Sequence, residues 1–324
     1  MYAVEPSTRQ PVDPGPQIPV PALGGRRRRQ RLAAPYLLAL PTVIVLAALL
    51  AYPVIKMIML SFQHVTQRDL FTGESPAWIG FGNYAAVLAD GFFWTVVLRT
   101  IVVAVVCVVL SVVVGLAVAL LMRRVAGWVR ILMTVAMMLV WSMPQLVSTQ
   151  VFGWLVDSDW GVLNWALDKI PGVDYTNHSW WINPVQGWSV IIALVVWGAI
   201  PFIAISLYAG LSQVPRELIE AAVVDGAGPA AVFRGVTFPI LRPLVGIVTT
   251  LSAIWDMGIF TQIYVIRGSK PELDYYNLAI YAYQEAFTKS HYSPGAAISI
   301  LTVILMLGVM AFYVRQMFRI GDAD

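Results

Sequence analysis

The sequence predicts an all-α membrane protein with six transmembrane helices, and two observations support this fold class. The chain of 324 residues is 59% hydrophobic and only 12% charged, which is unlike an ordinary soluble domain. Six apolar runs reach the length of about 20 residues that a helix needs to cross a bilayer. The single cysteine, Cys107, lies inside an apolar run, and the three histidines are scattered, which argues against disulfides and a metal site. The predicted spans are residues 35–60, 94–122, 131–153, 188–211, 244–266 and 295–315.

The N-terminal stretch is rich in Pro, Gly and Gln and ends in the basic run Arg26–Arg29. We interpret residues 1–33 as a disordered cytoplasmic tail. A signal peptide is the alternative, because a basic region precedes an apolar one. The apolar run that follows is too long for a signal core, and five more spans come after it. The sequence therefore predicts a transmembrane domain over residues 34–317 and a short cytoplasmic tail over residues 318–324.

The distribution of basic residues predicts the orientation. If the N-terminus is cytoplasmic, fourteen of the 21 Lys and Arg fall in the cytoplasmic segments, and most acidic residues fall in the outer ones. Positively charged segments remain on the cytoplasmic side of a membrane. Both termini and the segment between the fourth and fifth spans are therefore expected in the cytoplasm.

The segment between the third and fourth spans, residues 154–187, is expected outside and is rich in tryptophan. Tryptophans in such a position either anchor a protein at the bilayer interface or form a landing surface for an external binding protein. The sequence leaves both interpretations open. The tryptophans are Trp154, Trp160, Trp165, Trp180 and Trp181.

The polar segment from Pro215 to Pro243 is expected to form a helix, a sharp turn and a second helix. Pro215 suits the first turn of a helix, and Asp225-Gly226 supplies a stop at which Gly226 is expected to adopt a positive φ. Pro229 can begin the second helix, and the prolines at Pro239 and Pro243 are expected to end it. Two alanines before the turn would let another protein approach the backbone closely.

This segment resembles the EAA loop of bacterial ABC importer permeases. In that family the loop is cytoplasmic and inserts a short coupling helix into a groove of the ATPase subunit, so the resemblance implies a type I ABC importer permease fold and a coupling loop over residues 212–243. The alternative is a simple connector, which rarely needs this length. The residues that carry the resemblance, and for which it implies a coupling role, are Glu220, Ala221, Ala222, Asp225, Gly226 and Pro239.

Further segments are similar to the carbohydrate branch of this family, namely Tyr52-Pro53, Arg267–Pro271 and Leu278–Phe287. The pattern looks most like the permeases of maltose, glycerol-phosphate and trehalose importers, and most specifically like the first permease of the mycobacterial trehalose importer. The resemblance implies import of a disaccharide such as trehalose. Another solute, such as glycerol phosphate or a polyamine, is the alternative within transport. A membrane receptor or a membrane enzyme is the alternative outside it.

The resemblance also implies partners in a bacterial inner membrane. They are a second, homologous permease, two copies of an ABC ATPase and an extracytoplasmic sugar-binding protein or lipoprotein, besides membrane lipid and the sugar itself. The sequence contains no G-x-x-x-x-G-K-[ST] motif, so we expect no enzymatic activity and no cofactor in this chain, with ATP and Mg²⁺ bound by the partner ATPase. The basic residues lie beside the spans and give no indication of nucleic-acid binding.

Polar and aromatic residues inside the spans are the candidates for contact with the sugar. Asp256 follows Trp255 about twelve residues into the predicted fifth span, and a carboxylate beside an aromatic face suits a sugar. Packing between helices is the alternative for all of them. The six positions that match the sugar site of maltose-type permeases, on the third, fourth and fifth core helices, are Trp141, Gln145, Gly198, Phe202, Trp255 and Asp256.

Overall fold

The computed structural model describes residues 38–73 and 75–321. The chain divides into two compact units, one ending at Lys56 and one beginning at Met57. The predicted N-terminal tail, residues 34–37 and the last three residues lie outside the described residues. The rest of the predicted C-terminal tail, residues 318–321, is helical.

Helices dominate the described chain, and its two strands form a small hairpin. We number the elements in chain order, and π-helical turns lie at Ala47–Ala51, Phe233–Thr237 and Gln284–Thr288. The elements are α1 (Leu38–Ser61), β1 (Gln63–His64), α2 (Gln67–Thr72), β2 (Ala77–Trp78), α3 (Gly82–Ala89), α4 (Gly91–Arg124), α5 (Gly127–Ser142), α6 (Gln145–Leu155), α7 (Val162–Leu167), α8 (Pro184–Ser212), α9 (Arg216–Val224), α10 (Pro229–Met257), α11 (Thr261–Ile266), α12 (Leu278–Tyr283) and α13 (Tyr292–Gly321).

The predicted number of membrane spans is confirmed if a bent helix pair counts as one span. In the described chain, five helices are long and apolar enough to cross a membrane, and α5 together with α6 makes a sixth candidate. The five are α1, α4, α8, α10 and α13, and α13 meets the criteria as far as Phe312.

The third predicted span, residues 131–153, is not one straight helix, and Trp141 and Gln145 lie on different helices. Helix α5 ends at Ser142, α6 begins at Gln145, and the two axes differ in direction by 101°. Pro144 lacks the N–H group that a continuous helix needs, and it disfavours the helical conformation of the residue before it. Met143 is accordingly extended, with φ −71° and ψ 127°.

The fifth predicted span is also corrected, because it begins and ends earlier than residues 244–266. Helix α10 runs from Pro229 to Met257 and continues through Pro239 and Pro243, which were expected to end it. A π turn directly before Pro239 widens the helix where the ring would otherwise meet the preceding turn. Prolines are tolerated inside membrane helices for related reasons. The residues after Met257 form a separate short helix, α11.

The core of the second unit is built by α4, α8 and α10. Ile203, Leu207 and Leu241 are fully or almost fully buried where the three helices meet. Helix α4 approaches α8 closely at Gly115, where an added Cβ would lie 2.6 Å from Cγ2 of Ile203. This contact holds α4 against α8, and α8 lines the cavity described below.

Residues 272–278 are fastened to the ends of three helices. Arg99 of α4 donates to the carbonyl oxygens of Leu273 at 2.7 Å and Tyr276 at 3.1 Å. Trp188 Nε1 donates to the carbonyl of Asp274 at 3.0 Å, and Asn277 Nδ2 donates to that of Ile259. Arg99 is thus a structural clamp on this segment. The bond from Asn277 to Ile259 joins the segment to the break between α10 and α11.

Candidate functional site

A cavity of about 440 Å³, which we call the central cavity, lies where the broken helices meet α8. The break between α5 and α6 supplies one wall, and the break between α10 and α11 supplies another. Side chains from α8 close the side between them. Five of the six predicted sugar-contact residues line the cavity: Trp141, Gln145, Gly198, Trp255 and Asp256.

Three aromatic rings from three helices form a cluster at this site. Trp141 stacks on Phe202 with ring centroids 5.4 Å apart, and Phe202 meets Trp255 edge-on at 5.3 Å. The centroids of the two tryptophans lie 6.0 Å apart. Phe202, the sixth predicted residue, does not line the cavity but supports both tryptophans. Each tryptophan remains 49% exposed, so the cluster presents aromatic surface that residues 38–73 and 75–321 do not cover.

Asp256 is the carboxylate of the cavity and is the penultimate residue of α10, not twelve residues into its span. Its side chain is buried, at 5% exposure, and Ser252 Oγ of the same helix donates to Oδ2 at 3.0 Å. Within residues 38–73 and 75–321, the Asp256 carboxylate has no ion-pair partner and no hydrogen bond from another helix. The carboxylate thus holds no neighbouring helix, and it can accept hydrogen bonds from a ligand.

Three further polar or aromatic side chains line the cavity and were not selected from the sequence: Ser148, Trp197 and Gln262. Gln262 lies in α11, within the apolar run assigned to the fifth span. The rule that a polar residue inside a span is a functional candidate would have found it. Trp197 meets Phe152 of α6 at 5.5 Å, which connects α8 to the helix after the Pro144 break.

The coupling candidates form a second, separate site beyond the C-terminal end of α8. Five of the six residues lie in α9 or in the turn that ends it, and α9 contains no buried residue. Pro239 stands apart, inside α10. Leu218, Val223 and Val224 are 48%, 57% and 87% exposed, so this helix offers an apolar surface that no part of the described chain covers.

The turn after α9 has a defined geometry. Gly226 has φ +86°, which confirms the expected positive value. The N–H of Gly226 donates to the carbonyl of Val223 at 3.0 Å, and the N–H of Ala227 donates to that of Ala222 at 2.9 Å. These two bonds make a Schellman motif, which satisfies the carbonyls that a helix end leaves unpaired. The motif fixes the direction in which the chain leaves α9.

The sequence of residues 111–321 matches the family described as binding-protein-dependent transport system inner membrane component. The chain belongs to this family. The permease is 39% identical to the diacetylchitobiose uptake system permease protein DasB of Streptomyces coelicolor, over 90% of each chain. It is 30% identical to the trehalose/maltose transport system permease protein MalF of Thermococcus litoralis, over 86% of this chain and 92% of the relative. The trehalose transport system permease protein SugA of Mycobacterium tuberculosis is 28% identical, over 91% of each chain.

The fold of the permease agrees with these relatives. A chain of a bacterial ABC transporter that imports the acidic polysaccharide alginate superposes with a TM-score of 0.77 at 18% identity, covering 91% of the permease and 98% of that chain. The protein is a carbohydrate ABC importer permease and a multi-pass protein of the bacterial inner membrane. The type I permease fold expected from the EAA-like loop is confirmed.

Proposed function

We propose that the permease forms half of the pathway of an ATP-driven importer for a neutral disaccharide, with the central cavity as the sugar site. The observation that carries this proposal is the composition of the cavity wall. Aromatic surface from Trp141 and Trp255 adjoins one carboxylate and two amides, and none of the lining residues is Lys or Arg. Aromatic rings pack on the C–H faces of a sugar, while acids and amides bind its hydroxyl groups.

The alternatives within transport fit this wall less well. A glycerol phosphate would favour guanidinium or ammonium groups beside the phosphate, and none lines the cavity. A polyamine carries several positive charges, whereas Asp256 is the sole carboxylate among the lining residues. A neutral ligand matches a site with one acid, two glutamines and two half-exposed tryptophans.

The identity of the sugar is a finer proposal. The resemblance of sequence motifs favours trehalose, whereas the 39% identical relative is named for diacetylchitobiose and the relative named for trehalose alone is 28% identical. We therefore place N,N′-diacetylchitobiose ahead of trehalose. Both are neutral disaccharides, so the physical argument from the cavity wall holds for either.

The remaining partners follow from what each site leaves uncovered. The two half-exposed tryptophans of the central cavity leave room for a second permease to complete the site. The apolar surface of α9 suits the groove of an ABC ATPase, of which two copies would serve the two permeases. In this mechanism ATP closes the ATPase dimer, α9 transmits the motion, and the cavity opens to sugar delivered by an extracytoplasmic binding protein.

Transport by the reconstituted complex tests the proposal. The permease, its partner permease, the ATPase and the binding protein are placed in proteoliposomes, and uptake of radiolabelled N,N′-diacetylchitobiose is followed with and without ATP. We expect ATP-dependent uptake that unlabelled disaccharide abolishes and that glycerol 3-phosphate and putrescine leave unchanged. If unlabelled trehalose competes more strongly than unlabelled N,N′-diacetylchitobiose, trehalose is the preferred substrate of the two. Uptake of glycerol 3-phosphate or putrescine in place of either sugar would contradict the proposal.

A further inference from the structure

A second cavity, of about 250 Å³, lies between α6 and α11, and we call it the α6–α11 cavity. It is on the side of the molecule opposite to α9, because Ser179 and Trp181 precede α8 whereas α9 follows it. The predicted sugar site includes none of its residues. They are Thr149, Gln150, Gly153, Trp154, Asp157, Ser158, Ser179, Trp181, Val265 and Ile266.

The two cavities follow one another along the same face of α6. Gln145 lines the central cavity, while Thr149 and Gly153 line the α6–α11 cavity. Residues four apart lie above one another on a helix, so this face passes from one cavity to the next. The distance from Gln145 to Gly153 along the helix is about 12 Å.

The facing helix repeats this arrangement. In α11, Gln262 lines the central cavity, and Val265 and Ile266, three and four residues further, line the second one. Both walls therefore continue from one cavity into the other. A solute that moves between α6 and α11 toward the central cavity first passes the α6–α11 cavity.

The wall of the α6–α11 cavity has the groups that suit a sugar. Trp154 is 70% exposed, and Trp181 is held by the Arg267 guanidinium, 4.7 Å from its ring centroid. Gln150 and Asp157 add an amide and a carboxylate, and none of the lining residues is Lys or Arg. The composition resembles that of the central cavity, with aromatic surface beside one acid and one amide.

Anchoring at the lipid surface explains this cavity less well. Asp157 Oδ1 accepts from the N–H groups of Asp159 at 2.9 Å and Trp160 at 3.0 Å, so the carboxylate is fixed beside Trp154 and Ser158. A fixed negative charge among the tryptophans is unfavourable next to anionic headgroups. A concave polar wall also differs from a flat belt of aromatic side chains.

We propose that the α6–α11 cavity is a second sugar subsite, which a neutral sugar occupies before it reaches the central cavity. The inference rests on the proposed function, since it assumes that a sugar passes between these helices. It assigns Gln150 and Trp154 a contact with the sugar in transit. It also accounts for the continuous lining along two helices, which a single site does not require.

Photo-crosslinking in the complete importer tests this contact. Gln150 is replaced by an amino acid with a diazirine side chain, and the complex is irradiated during ATP-driven uptake of radiolabelled N,N′-diacetylchitobiose, or of trehalose if the competition experiment selects it. Replacement of Gln145 reports on the central cavity, and replacement of Trp128 is the negative control. We expect label at positions 150 and 145, both removed by excess unlabelled sugar. Label at 145 alone would overturn the subsite, and label at neither would overturn the proposed function as well.

A pair of matched substitutions provides a second measurement. Trp154 and Trp128 are 70% and 71% exposed, but Trp128 lies at the start of α5 and lines neither cavity. In the Trp154→Ala variant we expect crosslinking at position 150 to fall about fivefold, the effect of losing one favourable contact. Trp128→Ala should leave it unchanged. Equal crosslinking in both variants would overturn the role of Trp154, and with it the subsite.

Discussion

Asp256 shows at the residue scale how burial and hydrogen bonding define a candidate ligand group. It is buried in the wall of the central cavity, yet its hydrogen bond in the described chain comes from Ser252 of the same helix. A buried carboxylate with so few partners is costly unless another group completes its hydrogen bonds. A sugar hydroxyl in the cavity would do so.

Substitution of this carboxylate separates ligand binding from packing. Hydrogen bonds to charged groups contribute about 1.5–3 kcal/mol each, so Asp256→Asn should lower sugar uptake roughly tenfold or more. Because Asp256 bonds to no other helix in the described chain, the complex should assemble in normal amounts. Uptake and subunit yield are measured on the same preparation. Asp174→Asn, in an exposed loop, is the control and should transport normally. An intact Asp256→Asn complex with full uptake would remove Asp256 from the sugar site.

Gly226 defines the second residue-scale test. Its φ of +86° is a conformation that β-branched residues resist, although nothing lies within 4 Å of an added Cβ. Gly226→Val should therefore strain the turn by about 1–3 kcal/mol, weaken co-purification of the ATPase and abolish uptake. The binding protein should retain sugar as before.

Gly228 offers a matched control for this substitution in the same turn. It also has open space around its Cβ position, but its φ is −71° and its ψ is 167°, which valine adopts readily. Gly228→Val should couple normally. Equal transport by both variants would show that the turn after α9 is only a connector.

At the scale of elements, the breaks in two spans place the central cavity. Pro144 separates α5 from α6, and α10 ends at Met257, directly after Asp256 and directly before Gly258. Each break exposes side chains that a straight helix would turn toward lipid or toward a neighbouring helix. Irregular backbone at membrane depth is tolerated where it lines a cavity or is buried in protein.

The segment that follows α11 is held by Arg267. Its guanidinium donates to Glu272 Oε2 at 3.0 Å and Oε1 at 2.5 Å, and it lies 4.7 Å and 4.8 Å from the ring centroids of Trp181 and Tyr275. The Arg267 hydrogen bonds lower the pKa of Glu272 below its ordinary value. The pair therefore stabilises the segment above the ordinary pKa of about 4.3, and this stability is lost as the pH falls through the lowered pKa.

A lysine in place of Arg267 tests whether this arginine holds the segment after α11. Lysine keeps the charge but loses the two parallel hydrogen bonds and the planar stacking. We expect Arg267→Lys to raise amide hydrogen exchange in residues 267–277 about fivefold, with no change in α9. Lys270→Ala, in the same exposed loop, should leave both regions unchanged. Unaltered exchange in Arg267→Lys would mean that the backbone hydrogen bonds from Arg99 and Trp188 hold the segment alone.

At the scale of the whole molecule, the orientation in the membrane connects the two sites to their partners. The ends of α8 place α9 on one side and the α6–α11 cavity on the other. The distribution of basic residues predicts that α9 is cytoplasmic. This orientation is what would let an ATPase reach α9 and a binding protein reach the opposite side.

Cysteine labelling in intact cells tests the orientation. In a Cys107→Ser background, a cysteine placed in residues 268–275 should react with an impermeant thiol reagent added outside. A cysteine in residues 226–232 should react only after the membrane is opened. Unsubstituted protein should remain unlabelled, because Cys107 is fully buried. The opposite pattern would contradict both the orientation and the coupling role of α9.

The amino-acid sequence by itself determined the fold class, the number of spans and the helix–turn arrangement around Gly226. These features depend on local properties: the length of an apolar run, the tolerance of proline at a helix start and the freedom of glycine at positive φ. The six candidate sugar residues were also identified from sequence, although their contact with sugar stays a prediction.

Only the tertiary structure decided where two spans break and which residues meet. Pro144 separates two helices, whereas Pro201, Pro239 and Pro243 lie inside helices. A proline inside a helix is tolerated where neighbouring helices or a π turn compensate for the lost hydrogen bond, and at Pro144 the helix breaks instead. The clamp by Arg99 and the alignment of two cavities along α6 and α11 join residues far apart in the chain. Local pattern contains no information on such contacts, since packing between helices determines them.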